Sequence, residues 1–309
     1  MVGNERRSCV GVAVIFPGQG TQGPGMGLPW RDHPAWSVVE RAEKAMGEPL
    51  AHLLLAESAD ELARTRESQL SVLLTSLVAW EAVRDDLADP VAFAGHSLGQ
   101  VTALIAAGVL PLEDGLRFAA LRAEATQAAA DRHPGRMAAL MGADEAQALE
   151  ACAAAPDECW LANDNAPGQL VIAGTPSGVE RALKAAADLG IKRAIPLKVG
   201  GAFHTPLMDE AAEALRPVLA QIKFSEPLAP VVSNADARPY TDAGGWAVRL
   251  AEHPTAPVRW RASTATMTGE LGATEFVEVG YGSMLATLAK RCTPGVPVRG
   301  VATPGDLAQ

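Results

Sequence analysis

The first group capable of chemistry is a serine between two glycines, in the string GHSLG at 95–99. A short apolar stretch at 90–94 precedes it, and apolar residues at helical spacing follow it. A strand, a tight turn and a buried helix in this order expose a hydroxyl above a sheet, where the helix start offers N–H groups to a developing oxyanion. This context favours Ser97 as a nucleophile over a serine that only caps the helix.

A base must accompany Ser97, because a serine hydroxyl is a weak nucleophile until its proton is removed. His96 is the immediate neighbour and is expected to point away. His204 lies in a loop after a predicted strand, a common place for active-site groups, and His253 is the other remaining candidate. The residues alone leave open whether His204 is a base or a structural histidine. The histidines set aside, in polar, helical or turn surroundings, are His33, His52 and His133.

The apolar pattern predicts an α/β chain that places these groups at the ends of strands. A β-branched strand at 9–16 stops at a glycine loop, and 137–199 changes to four short strands and two helices, the pattern of a split β-α-β lobe. The last few residues are expected to fray. Helices are predicted at 34–55, 69–87, 113–130, 177–189 and 206–223, and further strands at 230–233 and 274–279.

The composition of the 309 residues is that of a globular protein, with 48% hydrophobic and 20% charged residues. A net charge of −10 disfavours nucleic-acid binding, which depends on clustered Lys and Arg. A polar start and the lack of an apolar run of roughly 18 residues favour a cytoplasmic protein outside the membrane. The cysteines form no C-x-x-C pair and are interpreted as reduced thiols without a metal. They are Cys9, Cys152, Cys159 and Cys292.

Several motifs, in order along the chain, make a specific combination. They are FPGQG at 16–20, GHSLG at 95–99, an arginine at 122, NDNAPGQLVIAG at 163–174, GAFH at 201–204, PVRW at 257–260 and EVG at 278–280. With them the chain resembles the malonyl-CoA:acyl carrier protein transacylase family and the related acyltransferase domains of polyketide synthases, over about residues 11–292.

The resemblance implies a fold and an activity. The fold is a large hydrolase-like α/β domain with a parallel sheet, at 1–130 and 203–309, and an inserted ferredoxin-like domain at 131–202. The activity is ping-pong transfer of a malonyl group from malonyl-CoA to the phosphopantetheine thiol of an acyl carrier protein, without a metal or further cofactor. The expected protein is a monomer, with the carrier and the coenzyme A thioester as its partners.

The resemblance also assigns roles to individual residues. Ser97 becomes the nucleophile and His204 its base, and the backbone N–H groups of Gln19 and Leu98 form the oxyanion hole. Arg122 is expected to hold the malonyl carboxylate, since a planar guanidinium donates to both carboxylate oxygens in parallel charge-assisted bonds.

Two further residues are placed on the substrate side with Arg122. The Phe203 ring, next to the base, is expected to crowd an α-methyl group and so to favour malonyl over methylmalonyl. His253 stands where the family commonly has Gln, at a position that orients the catalytic histidine through its backbone carbonyl. Spacing alone does not choose between Arg122 and Arg117, which share a predicted helix.

The chain departs from the family pattern at three positions. Gln100 replaces a frequent Glu and is expected to change hydrogen bonding behind Ser97. Tyr281 replaces the Pro that usually follows EVG, which puts the local turn in doubt. His253 leaves open a different acyl unit, as in a discrete polyketide-pathway acyltransferase.

Two other functions are kept as alternatives. An α/β-hydrolase-type esterase or thioesterase orders its residues serine, acid, histidine, and Asp164 is the acid available between Ser97 and His204. A catalytically silent protein that docks a carrier is the other. Because carriers are usually acidic, a small basic docking patch is expected unless the same residues are ordinary surface charges. They are Lys184, Lys192, Arg193, Lys290 and Arg291.

Overall fold

The computed structural model describes residues 11–56, 58–87 and 89–307. Cys9 and the polar start lie outside the described residues. The strands are β1 Val12–Phe16, β2 Ala92–Gly95, β3 Arg136–Met141, β4 Cys159–Ala166, β5 Gln169–Gly174, β6 Arg193–Pro196, β7 Val231–Val232, β8 Pro239–Tyr240, β9 Glu275–Val279 and β10 Val298–Val301. The α-helices are α1 Ser37–Met46, α2 Ala51–Leu55, α3 Thr65–Val83, α4 Leu98–Ala106, α5 Leu112–Arg132, α6 Glu145–Ala153, α7 Pro176–Asp188, α8 Asp209–Leu219, α9 Trp246–Glu252, α10 Trp260–Gly269 and α11 Met284–Cys292.

The larger sheet has the strand order β10-β9-β1-β2-β7-β8 and is parallel except for the β7–β8 pair. Its central strands are short and apolar, VAVIF in β1 and AFAG in β2, because both faces of a parallel sheet are covered. β1 pairs with β2 in the register Phe16↔Gly95. The loops that follow these two strands therefore leave the same edge of the sheet side by side.

Alternation along β1 divides the core of this sheet into two layers. Val14 and Phe16 point to one face, where they belong to a cluster with residues of α3, α4 and α5. Ala13 and Ile15 point to the other face, into a cluster with residues of α10 and α11. The apolar stripe of α3 is so wide that nearly the whole helix is buried, so a polar side chain on it must find a partner inside the protein.

The second sheet is antiparallel, with the strand order β4-β5-β3-β6, and is built by the chain order βαββαβ from β3 to β6. The helices α6 and α7 pack on one face, against Ala138 and Leu140 of β3. The opposite face presents Met137 and Ala139, which pack with Phe203. The four strands and two helices predicted for 137–199 are therefore present.

Two contacts tie this sheet to the rest of the protein. The Asp164 N–H of β4 donates to the Val258 carbonyl at 2.9 Å, and the Val258 N–H donates to the Ala162 carbonyl at 2.9 Å. The Arg261 guanidinium of α10 bonds both carboxylate oxygens of Asp164, with Nε 2.9 Å from each. The main-chain hydrogen bonds and the partly exposed Arg261–Asp164 ion pair together hold β4 against α10.

Two helices predicted from the sequence are corrected by the structure. The helix expected at 34–55 is broken at Gly47, whose φ of 70° ends α1 before α2 begins. The helix expected at 206–223 opens with a 3₁₀ turn, Pro206–Met208, and α8 ends at Leu219. The strand β10 was not predicted, and it pairs with β9 on the edge of the larger sheet. The end of the tail expected to fray lies outside the described residues. The turn after EVG forms with Tyr281 in place of Pro, between Gly280 and Gly282, both at positive φ.

Candidate active site

Ser97 stands on a sharp turn between β2 and α4. Its φ of 52° and ψ of −112° are strained for a residue with a Cβ. The flanking positions must be glycine for steric reasons. A Cβ on Gly95 would lie 1.9 Å from the Gly99 carbonyl oxygen, and a Cβ on Gly99 would lie 2.1 Å from the Phe16 carbonyl oxygen. The turn therefore needs both glycines and lifts the serine hydroxyl above the sheet edge.

His204 meets Ser97 across this edge. Its Nε2 lies 2.8 Å from Ser97 Oγ, and its residue is buried at 5% exposure. On the other side of the ring, Nδ1 lies 3.1 Å from the His253 carbonyl oxygen and 3.0 Å from the Ala256 carbonyl oxygen. Carbonyls only accept, so Nδ1 carries the proton and Nε2 presents its lone pair to the Ser97 hydroxyl. The ring is therefore oriented as a base.

The surroundings keep the His204 imidazole neutral. Burial lowers its pKa to about 3, and the positive charge of Arg122 adds to that effect. His204 itself has a φ of 62°, a left-handed conformation held by a hydrogen bond from its N–H to the Pro254 carbonyl at 2.8 Å. Both members of the pair thus sit in strained backbone, as functional residues commonly do.

Arg122 lies on the buried face of α5 and points at the serine. Its Nη2 donates to Ser97 Oγ at 3.2 Å and its Nη1 donates to Gln69 Oε1 at 2.8 Å. Its Nε is buried without a partner among the described residues. Burial lowers its pKa to about 10, so the guanidinium stays charged at neutral pH. Arg117, the other arginine of this helix, is exposed away from Ser97 and donates to the Ala45 carbonyl at 3.1 Å.

The two residues expected to supply oxyanion N–H groups flank the serine. Leu98 is the first residue of α4, where an N–H has no helical partner. Gln19 lies in the loop after β1 and lines the same cavity as Ser97. Its side-chain Oε1 accepts from Gln69 Nε2 at 3.4 Å. Gln69 therefore links the arginine to this loop.

The groups open into a cavity of about 530 Å³ between the two sheets. Its polar lining includes the side chains of Ser97, His204 and Arg122. Its apolar lining includes Met137, Val171, Leu197, Val199, Phe203 and Met284. Phe203, placed on the substrate side by the resemblance, is therefore among the residues that line the cavity. A cavity with both charged and apolar lining suits a ligand that carries a charged end on a weakly polar arm.

His253 does not line this cavity. It is buried at 1% exposure behind His204, where it supplies the carbonyl to Nδ1. Burial lowers the pKa of its ring well below the usual range. The residue therefore acts on the site through its backbone, and its side chain lies away from the space open to a ligand.

Asp164, the acid available for a serine, acid, histidine order, is engaged elsewhere. Its carboxylate bonds Arg261 at 2.7 to 2.9 Å, and the His204 Nδ1 that an acid would contact faces backbone carbonyls. His96 turns away from Ser97 as expected, with its Nε2 2.8 Å from Asn165 Oδ1. The three cysteines in the described part of the chain are free thiols.

Sequence reasoning missed two buried amides of the site, Gln69 and Asn234. Gln69 follows polar residues at the start of α3, so the sequence does not mark it as buried, although it is 1% exposed. Asn234 follows β7 and is equally hard to find, since its side-chain oxygen accepts the Ser97 N–H at 2.8 Å from 137 residues away. Gln100, which replaces a frequent Glu, accepts the Asn234 N–H at 2.7 Å behind the turn.

Residues 11–56, 58–87 and 89–307 contain no group of three or more His, Cys, Asp or Glu side chains able to hold a metal ion. They also contain no helix with the length and hydropathy needed to cross a bilayer.

Comparison with known proteins gives consistent results. The profile of the acyl transferase domain family matches residues 13–298. The malonyl CoA-acyl carrier protein transacylase of Bacillus subtilis (strain 168) is 36% identical over 302 residues, which cover 96% of this chain and 95% of that protein. The crystal structure of the acyl-carrier-protein S-malonyltransferase of Burkholderia pseudomallei 1710b aligns with a TM-score of 0.90 at 35% identity, covering 96% of this chain and 98% of that one.

A third similarity concerns a complex. A malonyl-transacylase solved together with its type II polyketide synthase acyl-carrier protein aligns with a TM-score of 0.90 at 33% identity. The alignment covers 96% of this chain and 98% of that chain.

Proposed function

The chain belongs to the acyl transferase domain family, and we propose that it is an enzyme that moves a malonyl group from malonyl-CoA to the phosphopantetheine thiol of an acyl carrier protein. The observation that carries the proposal is the placement of one serine hydroxyl 2.8 Å from a neutral imidazole and 3.2 Å from a buried guanidinium. The first contact suits covalent acyl transfer, and the second suits an acyl group that ends in a carboxylate.

In the first half of the cycle, the Ser97 hydroxyl gives its proton to His204 Nε2 as Oγ bonds to the thioester carbonyl carbon. The carbon–sulfur bond then breaks, and His204 returns the proton to coenzyme A, which leaves as a thiol. We assign the oxyanion formed between these steps to the N–H groups of Gln19 and Leu98. The product of this half is a malonyl ester on Ser97.

In the second half the carrier thiol replaces coenzyme A. Its proton passes to His204 as sulfur bonds to the ester carbonyl carbon, and the carbon–oxygen bond breaks. Ser97 Oγ then recovers the proton. The cycle balances with two thiols and one acyl group, so we propose it without a metal or further cofactor.

A dyad supported by carbonyls suits transfer better than hydrolysis. The two carbonyls at His204 Nδ1 orient the ring but carry no negative charge to strengthen it as a base. Such a base is matched to a thiol, which ionises far more readily than water. The uncharged partners of His204 Nδ1 and the engagement of Asp164 by Arg261 support the transferase over the esterase alternative.

Malonyl specificity follows from the unpaired edge of Arg122. Nη1 is committed to Gln69, whereas the buried Nε lacks a partner among the described residues and Nη2 makes only a 3.2 Å bond to Ser97. Nε and Nη2 form one edge of the guanidinium, which is the fork that binds a carboxylate in two parallel bonds. His253 does not reach the cavity, so its replacement of Gln gives no reason to expect another acyl unit.

The carrier is expected to approach over the basic residues predicted from the sequence. Lys192 and Arg193 are exposed at β6, the edge strand that runs toward the cavity wall, and Lys290 is exposed at the end of α11. Arg291 is committed to the Pro167 carbonyl at 2.6 Å, which makes it the weakest member of the patch. Lys184 lies on the exposed side of α7.

We also propose the finer description of the fold. The βαββαβ order and the strand order β4-β5-β3-β6 support a ferredoxin-like domain at 131–202, inserted in a hydrolase-like domain at 1–130 and 203–309. A monomer in the cytoplasm fits the proposed carrier.

One experiment tests the proposed function directly. Mixing the protein with labelled malonyl-CoA is expected to add one malonyl group to the intact mass, and peptide mapping is expected to place it on Ser97. Ser97→Ala should stay unlabelled, and added holo-carrier should remove the label from the wild-type protein within one turnover. Intact protein without label, or rapid hydrolysis of malonyl-CoA without carrier, would overturn the proposal.

A further inference from the structure

The Asn234 side chain is fully buried behind the nucleophile and is fixed by two backbone groups of the turn. Its Oδ1 accepts the Ser97 N–H at 2.8 Å, and its Nδ2 donates to the Gly95 carbonyl at 2.7 Å. An amide oxygen only accepts and its nitrogen only donates, so these two contacts determine which way the amide points. Asn234 thus spans the strained turn from one side of Ser97 to the other.

The fixed amide in turn determines the tautomer of His253. His253 Nε2 lies 3.1 Å from the same Asn234 Oδ1. Since that oxygen accepts, Nε2 must carry the proton and donate it. The bare Nδ1 of His253 is buried without a partner among the described residues, so the ring has no acceptor for a second proton. His204 and His253 are therefore neutral in opposite tautomers.

These contacts close into a ring that contains both reacting groups. From the Ser97 backbone N–H the ring runs to Asn234 Oδ1 and then to the His253 side chain. It continues from the His253 carbonyl to His204 Nδ1, and from His204 Nε2 back to Ser97 Oγ. A change at any residue of this ring of contacts would alter the distance between Ser97 Oγ and His204 Nε2, across which the proton passes.

We propose that Asn234 is a positioning residue for acyl transfer, which holds the Ser97 turn and, through His253, the His204 ring in one arrangement. The proposal rests on the proposed function and assigns a role to a residue that touches neither substrate nor reacting atom. Without Oδ1 the Ser97 N–H loses its acceptor and the strained turn can relax. Without the same oxygen the His253 ring loses its anchor, and the carbonyl that orients His204 moves with it.

Four variants and a matched control test the proposal. Asn234→Ala removes both hydrogen bonds that Asn234 Oδ1 accepts in this ring of contacts, from Ser97 and from His253. His253→Leu removes only the second of them. His253→Gln keeps an N–H donor. The control Thr274→Val removes a hydrogen bond to the Gly11 N–H at the opposite ends of β1 and β9, away from the site. The fourth variant combines Asn234→Ala with His253→Leu.

The first measurement is the single-turnover rate of malonyl-serine formation. We expect Asn234→Ala to slow this rate about 100-fold, with the KM for malonyl-CoA changed less than threefold, because Arg122 and Gln69 are untouched. His253→Leu should lose about tenfold and His253→Gln less than that. The double variant should be no slower than Asn234→Ala, since groups in one network are not additive, and Thr274→Val should stay within twofold of wild type.

A second measurement separates failure of this inference from failure of the proposed function. A fluorophosphonate reacts with an activated serine whatever its natural acyl group, so its rate reports the Ser97–His204 arrangement alone. Imidazole ¹⁵N shifts should show His204 protonated at Nδ1 and His253 at Nε2, and Asn234→Ala should perturb both rings. If Asn234→Ala does not fold, the two His253 variants test the inference. A smaller loss of rate in His253→Gln than in His253→Leu supports it, and the reverse order contradicts it.

Two results would overturn the inference. One is a folded Asn234→Ala protein that reacts with the fluorophosphonate within threefold of the wild-type rate. The other is a double variant whose loss equals the product of the single losses, since a merely structural role predicts independent effects. Wild-type protein that reacts with the fluorophosphonate but takes no malonyl group would instead contradict the proposed function and leave the ring intact.

Discussion

Replacing Arg122 with alanine separates recognition of the acyl group from the chemistry at Ser97. The guanidinium is buried on α5, with Nη1 held by Gln69 at 2.8 Å. On its Nε–Nη2 edge, Nη2 donates to Ser97 Oγ at 3.2 Å and Nε has no partner among the described residues. A malonyl carboxylate on that edge would make two charge-assisted bonds, whereas an acetyl group has nothing to place there. The variant should therefore discriminate between two substrates that share the same thioester.

The expected magnitude follows from those two bonds. A hydrogen bond to a charged group contributes about 1.5 to 3 kcal/mol, so the pair contributes about 3 to 6 kcal/mol. At about 1.4 kcal/mol per factor of ten, kcat/KM for malonyl-CoA should fall by about 10² to 10⁴. Acetyl transfer loses neither bond and should be kept or gained. Gln69 loses its partner inside the core, which should cost about 1 to 3 kcal/mol of the free energy of unfolding.

The assay is transfer of radiolabelled malonyl or acetyl from coenzyme A to a holo-carrier, with urea unfolding of each variant. Arg117→Ala is the matched control, because Arg117 lies on the same helix but is exposed. It should stay within twofold of wild type with both substrates. Equal losses of malonyl and acetyl transfer in Arg122→Ala, or a loss of malonyl selectivity in Arg117→Ala, would refute the reasoning.

Three further predictions follow from the charges of the site and the surface. Burial and the charge of Arg122 lower the pKa of His204 to about 3, so the acid limb of the pH profile of kcat/KM for acylation should lie well below the ordinary histidine range. Arg122→Ala should move this limb to higher pH. A limb at the same pH in the variant would contradict the electrostatic account. The unfolded chain binds a proton at His204 near pH 6.5, whereas the folded chain does not. Through this residue the free energy of unfolding, measured by urea titration, should therefore be about 2 kcal/mol lower at pH 5 than above pH 6.5. In His204→Gln the free energy of unfolding should decrease less over the same pH range. Charge reversal at Lys192 and Arg193 should raise the KM for carrier and leave that for malonyl-CoA unchanged, with Lys223→Glu as the control outside the patch.

The sequence predicted the parts of the site that lie within single motifs. Ser97 could be found because a strand, two glycines and a helix stand together, and His204 because it follows a strand in a recognisable string. Arg122 depended on the register of the family, since helical spacing allowed Arg117 equally. The structure separates the two arginines by burial, a property of the packing of α5 that periodicity alone does not determine.

The residues that could not be found from the sequence are those that reach the site only after the chain has folded. Asn234 reaches the turn from 137 residues away, and Gln69 reaches Arg122 from 53 residues away. Edge strands are similarly hard to find. β10 has only four residues, one of them a glycine, and it forms by pairing with β9. The break between α1 and α2 does have a sequence signal that the predicted helix at 34–55 passed over, since Gly47 is followed two residues later by Pro49.

Arg122 and His204 are also coupled through charge, which bears on selectivity. Burial is the larger cause of the low His204 pKa, and the Arg122 charge is the next. Under the proposed function, a malonyl carboxylate on the guanidinium cancels that second contribution, so the imidazole becomes a stronger base when the correct acyl group is present. An acetyl group leaves the arginine uncompensated, with its Nη2 still bonded to Ser97 Oγ and the base still weak. The same guanidinium would thus select malonyl twice, first by binding its carboxylate and then by releasing the serine and the histidine to react.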